Sequence, residues 1–219
     1  FINSAVIADS PEPLLWAGIG DALSKECEAV FASQDDALSH TPLMGRQASR
    51  VCTDPLVEYG AAALEAIRAK KATFALEQVT LDIIVSTGIV SNMMTTVDGY
   101  YYNSSLAHCV YYGATVTKRG HSHLHGEIVS LGVLCLLRYA GEAEETARIM
   151  RFNASVGLPV CFDDIEVGEE EFERMADKFV QTTEWTHKPA CVSREAFLRT
   201  MREQNAAGRA FKAAQKAEK

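Results

Sequence analysis

The chain opens on FINSAVIA, an apolar and β-branched run from Phe1 to Ala8 that ends in the turn signal Asp9-Ser10-Pro11. This pattern predicts one short strand, which needs a partner to be stable. Helical periods follow it. Pro11 to Phe31 is helical in composition with glycines at Gly18 and Gly20, which predicts a short helix, a tight junction and a second helix from Gly20 or Asp21. Gln34 to Ser49 is polar, holds Pro42 and Gly45, and reads as a loop or broken helix. Asp54 can cap a helix with Pro55 at its first position, and Leu56, Tyr59, Ala63 and Ile67 give it one buried stripe. Phe74 to Met94 is richly apolar and predicts a central buried helix, with Gly88 marking a close neighbour. Ser104 to Ala114 reads as a shorter helix, and Thr115 to Leu124 as a link. His125 to Tyr139 is apolar nearly all round, the pattern of a core helix. Glu142 to Val156 is amphipathic, and Asp163 to Glu173 reads as a solvated acidic helix start. Ser193 can cap a last helix that turns Phe197, Leu198 and Met201 inward, and Ala206 to Lys219 is expected to fray. The expected fold is all-α, a helical bundle-like domain of about eight helices preceded by a short strand.

With 219 residues, the chain fits one domain or slightly more. Apolar residues make up 47 % and charged residues 23 %, which excludes a disordered or collagen-like chain. The formal charge of -8 argues against gripping phosphate backbones, so no nucleic-acid partner is expected. The longest apolar stretch, Ile128 to Leu137, is too short to span a bilayer, and no membrane helix is expected. No charged segment followed by an apolar one marks a signal peptide. Six scattered cysteines without a C-x-x-C pair read as buried thiols of a cytoplasmic protein.

Candidate chemistry sits in three places. Three of the six histidines lie in the run Gly120-His121-Ser122-His123-Leu124-His125-Gly126-Glu127. In an extended run His121, His123 and His125 would share a face and could bind one metal. If Gly126 instead helps start the core helix, His125 sits at its edge and points inward. His108 lies in an apolar stretch, Leu106 to Val110, where an imidazole needs a partner. Asp21 follows Gly18-x-Gly20 and could simply cap a helix. The two glycines are no dinucleotide fingerprint, because the third is absent. One carboxylate and two imidazoles from separate helices is a recurring arrangement for an open divalent metal site.

Three segments, in order, carry a family resemblance: AGIGDALSKECEA (Ala17 to Ala29), LAHCVYYG (Leu106 to Gly113) and HLHGEIVSLGVL (His123 to Leu134). They resemble the metal-binding C-terminal domain of the iron-containing alcohol dehydrogenases, in the glycerol dehydrogenase branch. The separation of 17 residues between His108 and His125 is similar to that branch. The likeness spans roughly Ile2 to Phe162. It implies that Asp21, His108 and His125 hold Zn2+ or Fe2+, and that an N-terminal Rossmann-like domain binds NAD. On this resemblance residues 1–10 are the strand and hinge from that absent nucleotide-binding domain, and residues 11–219 are the helical metal-binding domain.

The resemblance further implies an enzyme, inactive as this chain alone, acting on a small-molecule polyol, secondary alcohol or ketone as a homo-oligomer. There are departures. Iron-dependent relatives place a second ligand histidine where this chain has Lys25, and glycerol dehydrogenases place a histidine where it has Tyr111. Both residues, with His121, therefore become candidates for the substrate pocket. Two other readings are a metal-dependent cyclase or lyase of the dehydroquinate-synthase kind and a non-catalytic helical interaction domain.

Overall fold

The computed structural model describes residues 2–97 and 99–217. Thirteen α-helices are found among them and no strand, only one antiparallel bridge between Thr95 and Tyr101. The chain divides into two compact units, Phe1–Ser104 and Ser105–Lys219.

The first unit begins with a correction. In place of the expected strand stands helix α1, Ser4–Asp9; Phe1, the first residue of that expectation, lies outside the described residues. The Asn3 side chain accepts from the Ala5 N–H at 3.0 Å and caps the helix. A short apolar run fits helix or strand equally well, and helix satisfies its own backbone where no partner strand exists. Helix α2, Glu12–Ala22, then runs straight through Gly18 and Gly20. The expected junction falls instead at Leu23, before α3, Ser24–Ala32. A Cβ on Gly18 would meet the Ile83 side chain at 3.4 Å, so this glycine serves packing, not a turn.

Much of the expected loop at 34–49 is helix α4, His40–Ala48, with Gly45 against Met93 and Met94. Helix α5, Asp54–Arg68, begins one residue earlier than expected, since Asp54 is its first residue and Thr53 its N-cap. Pro55 falls in the first turn, and Leu56, Ala63 and Ile67 are buried while Tyr59 is only half-buried. Next comes a continuous helical segment: α6, Phe74–Leu81, the π-helical turn Asp82–Ser86, and α7, Thr87–Met93. It is not the wholly buried helix expected. Phe74 is 64 % exposed, Ile84 and Ile89 each 49 %, and a Cβ on Gly88 would meet open space. By length and composition alone, Phe74–Met93 is apolar enough to cross a membrane, contrary to the expectation of no such helix. Its buried side meets a small core of Ala29, Cys52, Val90 and Met94, with Ala48 and Tyr102 packed against it.

The second unit is built on α8, Leu106–Ala114, and α9, His125–Tyr139. Gly132 lets them approach, since a Cβ there would lie 2.3 Å from the Ala107 carbonyl oxygen. As expected, α9 is buried along nearly its whole length. Helix α10, Ala143–Val156, stops at Gly157 in the left-handed conformation (φ 78°), which glycine adopts without strain. The acidic stretch forms two 3-10 turns, Phe162–Ile165 and Glu169–Glu171, before α11, Phe172–Phe179, and α12, Thr183–Thr186.

Those acids are paired, not merely solvated. Asp163 and Glu169 meet Arg209, Asp164 meets Lys212, and Glu173 meets Arg194 and Arg202. All four basic partners lie on α13, Arg194–Ala217, whose first turn is capped by the Ser193 hydroxyl accepting from Ala196 N–H at 3.2 Å. Phe197, Leu198 and Met201 are buried as expected. The expected fraying from Ala206 is overturned as far as Ala217, because Gly208 packs on the Val160 carbonyl and Arg209 and Lys212 are tied down; Glu218 and Lys219 lie outside the described residues.

Candidate metal centre

In the second unit, α8 and α9 bring two imidazoles together. The His108 and His125 rings have centroids 5.3 Å apart, tilted by 50°, and both residues are half-buried. Close backbone approach makes this possible: Ala107, the neighbour of His108, carries the carbonyl that touches Gly132. His125 is the first residue of α9, and the Tyr111 ring stands edge-on to it at 4.2 Å. Tyr111 also meets Tyr112, at 5.2 Å.

The extended reading of the histidine run does not hold. Gly120–Ser122 is a 3-10 turn, which takes the three side chains off a common face. His121 is exposed, with Nδ1 3.4 Å from the Thr117 carbonyl oxygen. Nδ1–H of His123 donates to Glu127 Oε1 at 2.9 Å.

In the first unit, Asp21 is half-buried in the last turn of α2. It is no N-cap, so the capping role open to it in the sequence is excluded. Lys25 follows on α3 and is buried. Its ammonium donates to both the backbone carbonyl, at 3.2 Å, and the side-chain oxygen of Asn103. Burial draws the Lys25 pKa down, while the negative charges of Glu28 and Asp21 hold it up. The sequence pattern carried no sign of Asn103 as the lysine's partner.

His108 and His125 in the second unit can each offer a ring nitrogen and Asp21 in the first a carboxylate oxygen, the donor types that the resemblance implies. Imidazole and carboxylate donors suit Zn2+ and Fe2+ alike, so the donor set fits the implied ion without choosing between them.

No protein-family model matches the chain. It is 29 % identical over 194 residues to the glycerol dehydrogenase of Thermotoga maritima, covering 85 % of this chain and 51 % of that protein. It is 32 % identical over 177 residues to the glycerol dehydrogenase of Pseudomonas putida, covering 77 % and 46 %. Among solved structures it superposes on a probable glycerol dehydrogenase from Sinorhizobium meliloti with a TM-score of 0.81 and 28 % identity, covering 94 % of this chain and 58 % of that one. The chain thus spans about half the length of the curated relatives it matches.

Proposed function

This chain is a homologue of the glycerol dehydrogenases, within the iron-containing alcohol dehydrogenase family, and we propose that it is the metal-holding part of an NAD-dependent polyol or secondary-alcohol dehydrogenase. Asp21, His108 and His125 hold the cation; the nicotinamide is held by sequence outside this chain. When bound, a divalent cation supplies Lewis acidity toward an alcohol or carbonyl oxygen. The protein's part would be to present an imidazole lone pair from each of His108 and His125 and a carboxylate from Asp21. Tyr111, edge-on to His125, walls one side of that ligand and limits which substrates fit beside it. Lys25, held by Asn103, interacts electrostatically with Asp21 and stands where an iron-dependent relative would place a further ligand. Five buried free thiols suit a reducing, cytoplasmic compartment.

The observation that carries this reading is the facing imidazole pair of His108 and His125 on two helices of a glycerol dehydrogenase homologue. Elemental analysis of the 219-residue chain tests it. Wild type is expected to retain close to one equivalent of zinc or iron after gel filtration, and Asp21→Ala and His108→Ala well under half of that. Equal metal in all three proteins would discard the ligand set.

A further inference from the structure

His125 opens α9, and the start of a helix is where its placement is least secured, because the first N–H groups have no helical acceptor. One side chain supplies what is missing. Glu127 Oε2 accepts the Leu124 N–H at 3.1 Å, and Glu127 Oε1 accepts Nδ1–H of His123 at 2.9 Å. A single carboxylate therefore fixes both residues that lead into His125.

The other face of His123 is also defined. Its Nε2 is buried without a hydrogen-bond partner and faces Glu166 Oε1 at 3.9 Å. Glu166 is held by Arg119 Nε at 2.9 Å and takes the left-handed backbone region at φ 53°, a strained conformation for a residue with a side chain. The His123 imidazole thus sits between two carboxylates from separate segments, with its side chain 15 % exposed. Beyond it, Tyr111 closes on the His125 ring at 4.2 Å.

We propose that Glu127, with His123, is a positioning residue for His125: it pins the entry to α9 and so fixes the imidazole without touching it. The proposal rests on the reading of His125 as a metal ligand. Groups that orient ligands in this way characteristically change metal affinity by about ten- to a hundredfold when removed.

The test uses the 219-residue chain and Zn2+ alone, titrated against a chromophoric chelator, with proton NMR of the metal-free His125 ring as a second readout. Because Tyr111 stands edge-on at short range, its ring current marks where His125 lies. Glu127→Ala is expected to weaken Zn2+ binding at least about tenfold and to move the His125 ring resonances. Glu127→Gln keeps an acceptor oxygen and is expected to restore both; His123→Asn, which leaves the Glu127 to Leu124 bond intact, serves if Glu127→Ala does not fold, and should shift the same resonances less. Unchanged affinity and unchanged resonances in Glu127→Ala, or in His123→Asn where that stands in, would overturn the proposal. If wild type itself binds no Zn2+, the metal reading fails, and the ring resonances alone decide whether Glu127 positions His125.

Discussion

Asp82 is 2 % exposed, and neither carboxylate oxygen has a hydrogen-bond partner that meets ordinary geometry. Burial pushes its pKa up to about 7, and the Ser86 hydroxyl offsets only part of that. The folded chain therefore holds a proton here that the unfolded chain releases near pH 4. A raised folded pKa gives stability that is complete below the unfolded value and drains away as pH climbs through 7. Asp82→Asn, with no charge to bury, is expected to match wild type at pH 4 and to exceed it by about 4 kcal/mol at pH 8. Urea unfolding of both proteins at the two pH values measures this. Nothing in the sequence marked Asp82, since an acid inside an apolar helical run looks the same whether it faces solvent or the core. His108 was legible for the opposite reason: an imidazole in a stretch apolar on every side has to be partnered.

At the scale of elements, the close approach of α8 and α9 at Gly132 holds the imidazole pair in place. A Cβ there would lie 2.3 Å from the Ala107 carbonyl oxygen and 2.8 Å from its Cα, so backbone must move. Gly132→Ala is expected to lower stability by about 1–3 kcal/mol, as overpacking does, and to widen the His108–His125 separation. Thermal unfolding reads the first effect and Zn2+ titration the second, with weaker binding in the variant than in wild type. The elements themselves were legible where amphipathic period and punctuation agreed. The span of α9 follows from its apolar run and Gly141, and that of α13 from the Ser193 cap. They were illegible where one cue stood alone. FINSAVIA offered apolar character over too few residues to separate period 2 from period 3.6, and Asn3 settled it as helix. Gly18 and Gly20 suggested a break, but a helical glycine that seats a neighbour such as Ile83 leaves the same trace in sequence. The outward face of α6 and α7 was unreadable for a further reason: apolar residues predict burial only if something covers them.

Across the whole chain, the two units respond to pH with opposite sign, since their titrating groups differ. In the second unit, the Arg209 hydrogen bond holds the Asp163 carboxyl below its usual range. Burial pushes Asp164 upward, but bonds from Lys212, Val160 and Cys161 outweigh it and leave it lowered. Hydrogen bonds from Arg202 and Arg194 lower Glu173 as well. Depressed folded values mean stability that is present above the ordinary carboxylate range and lost as pH falls below it. All three carboxylates anchor α13, so acid should release this helix first. In the first unit Asp82 acts the other way and withdraws stability as pH rises from about 4 through 7. Hydrogen exchange by mass spectrometry is therefore expected to show, after correction for intrinsic exchange, amides of 194–217 losing protection between pH 5 and pH 3 while 82–93 gain it; between pH 6 and pH 8, 82–93 should lose protection while 194–217 keep it. Asp82→Asn should abolish both changes in 82–93 and leave those in 194–217, and Arg209→Ala should weaken the protection of 194–217 at neutral pH. Equal loss in both segments at both extremes would mean that net charge, not these carboxyl groups, sets the response.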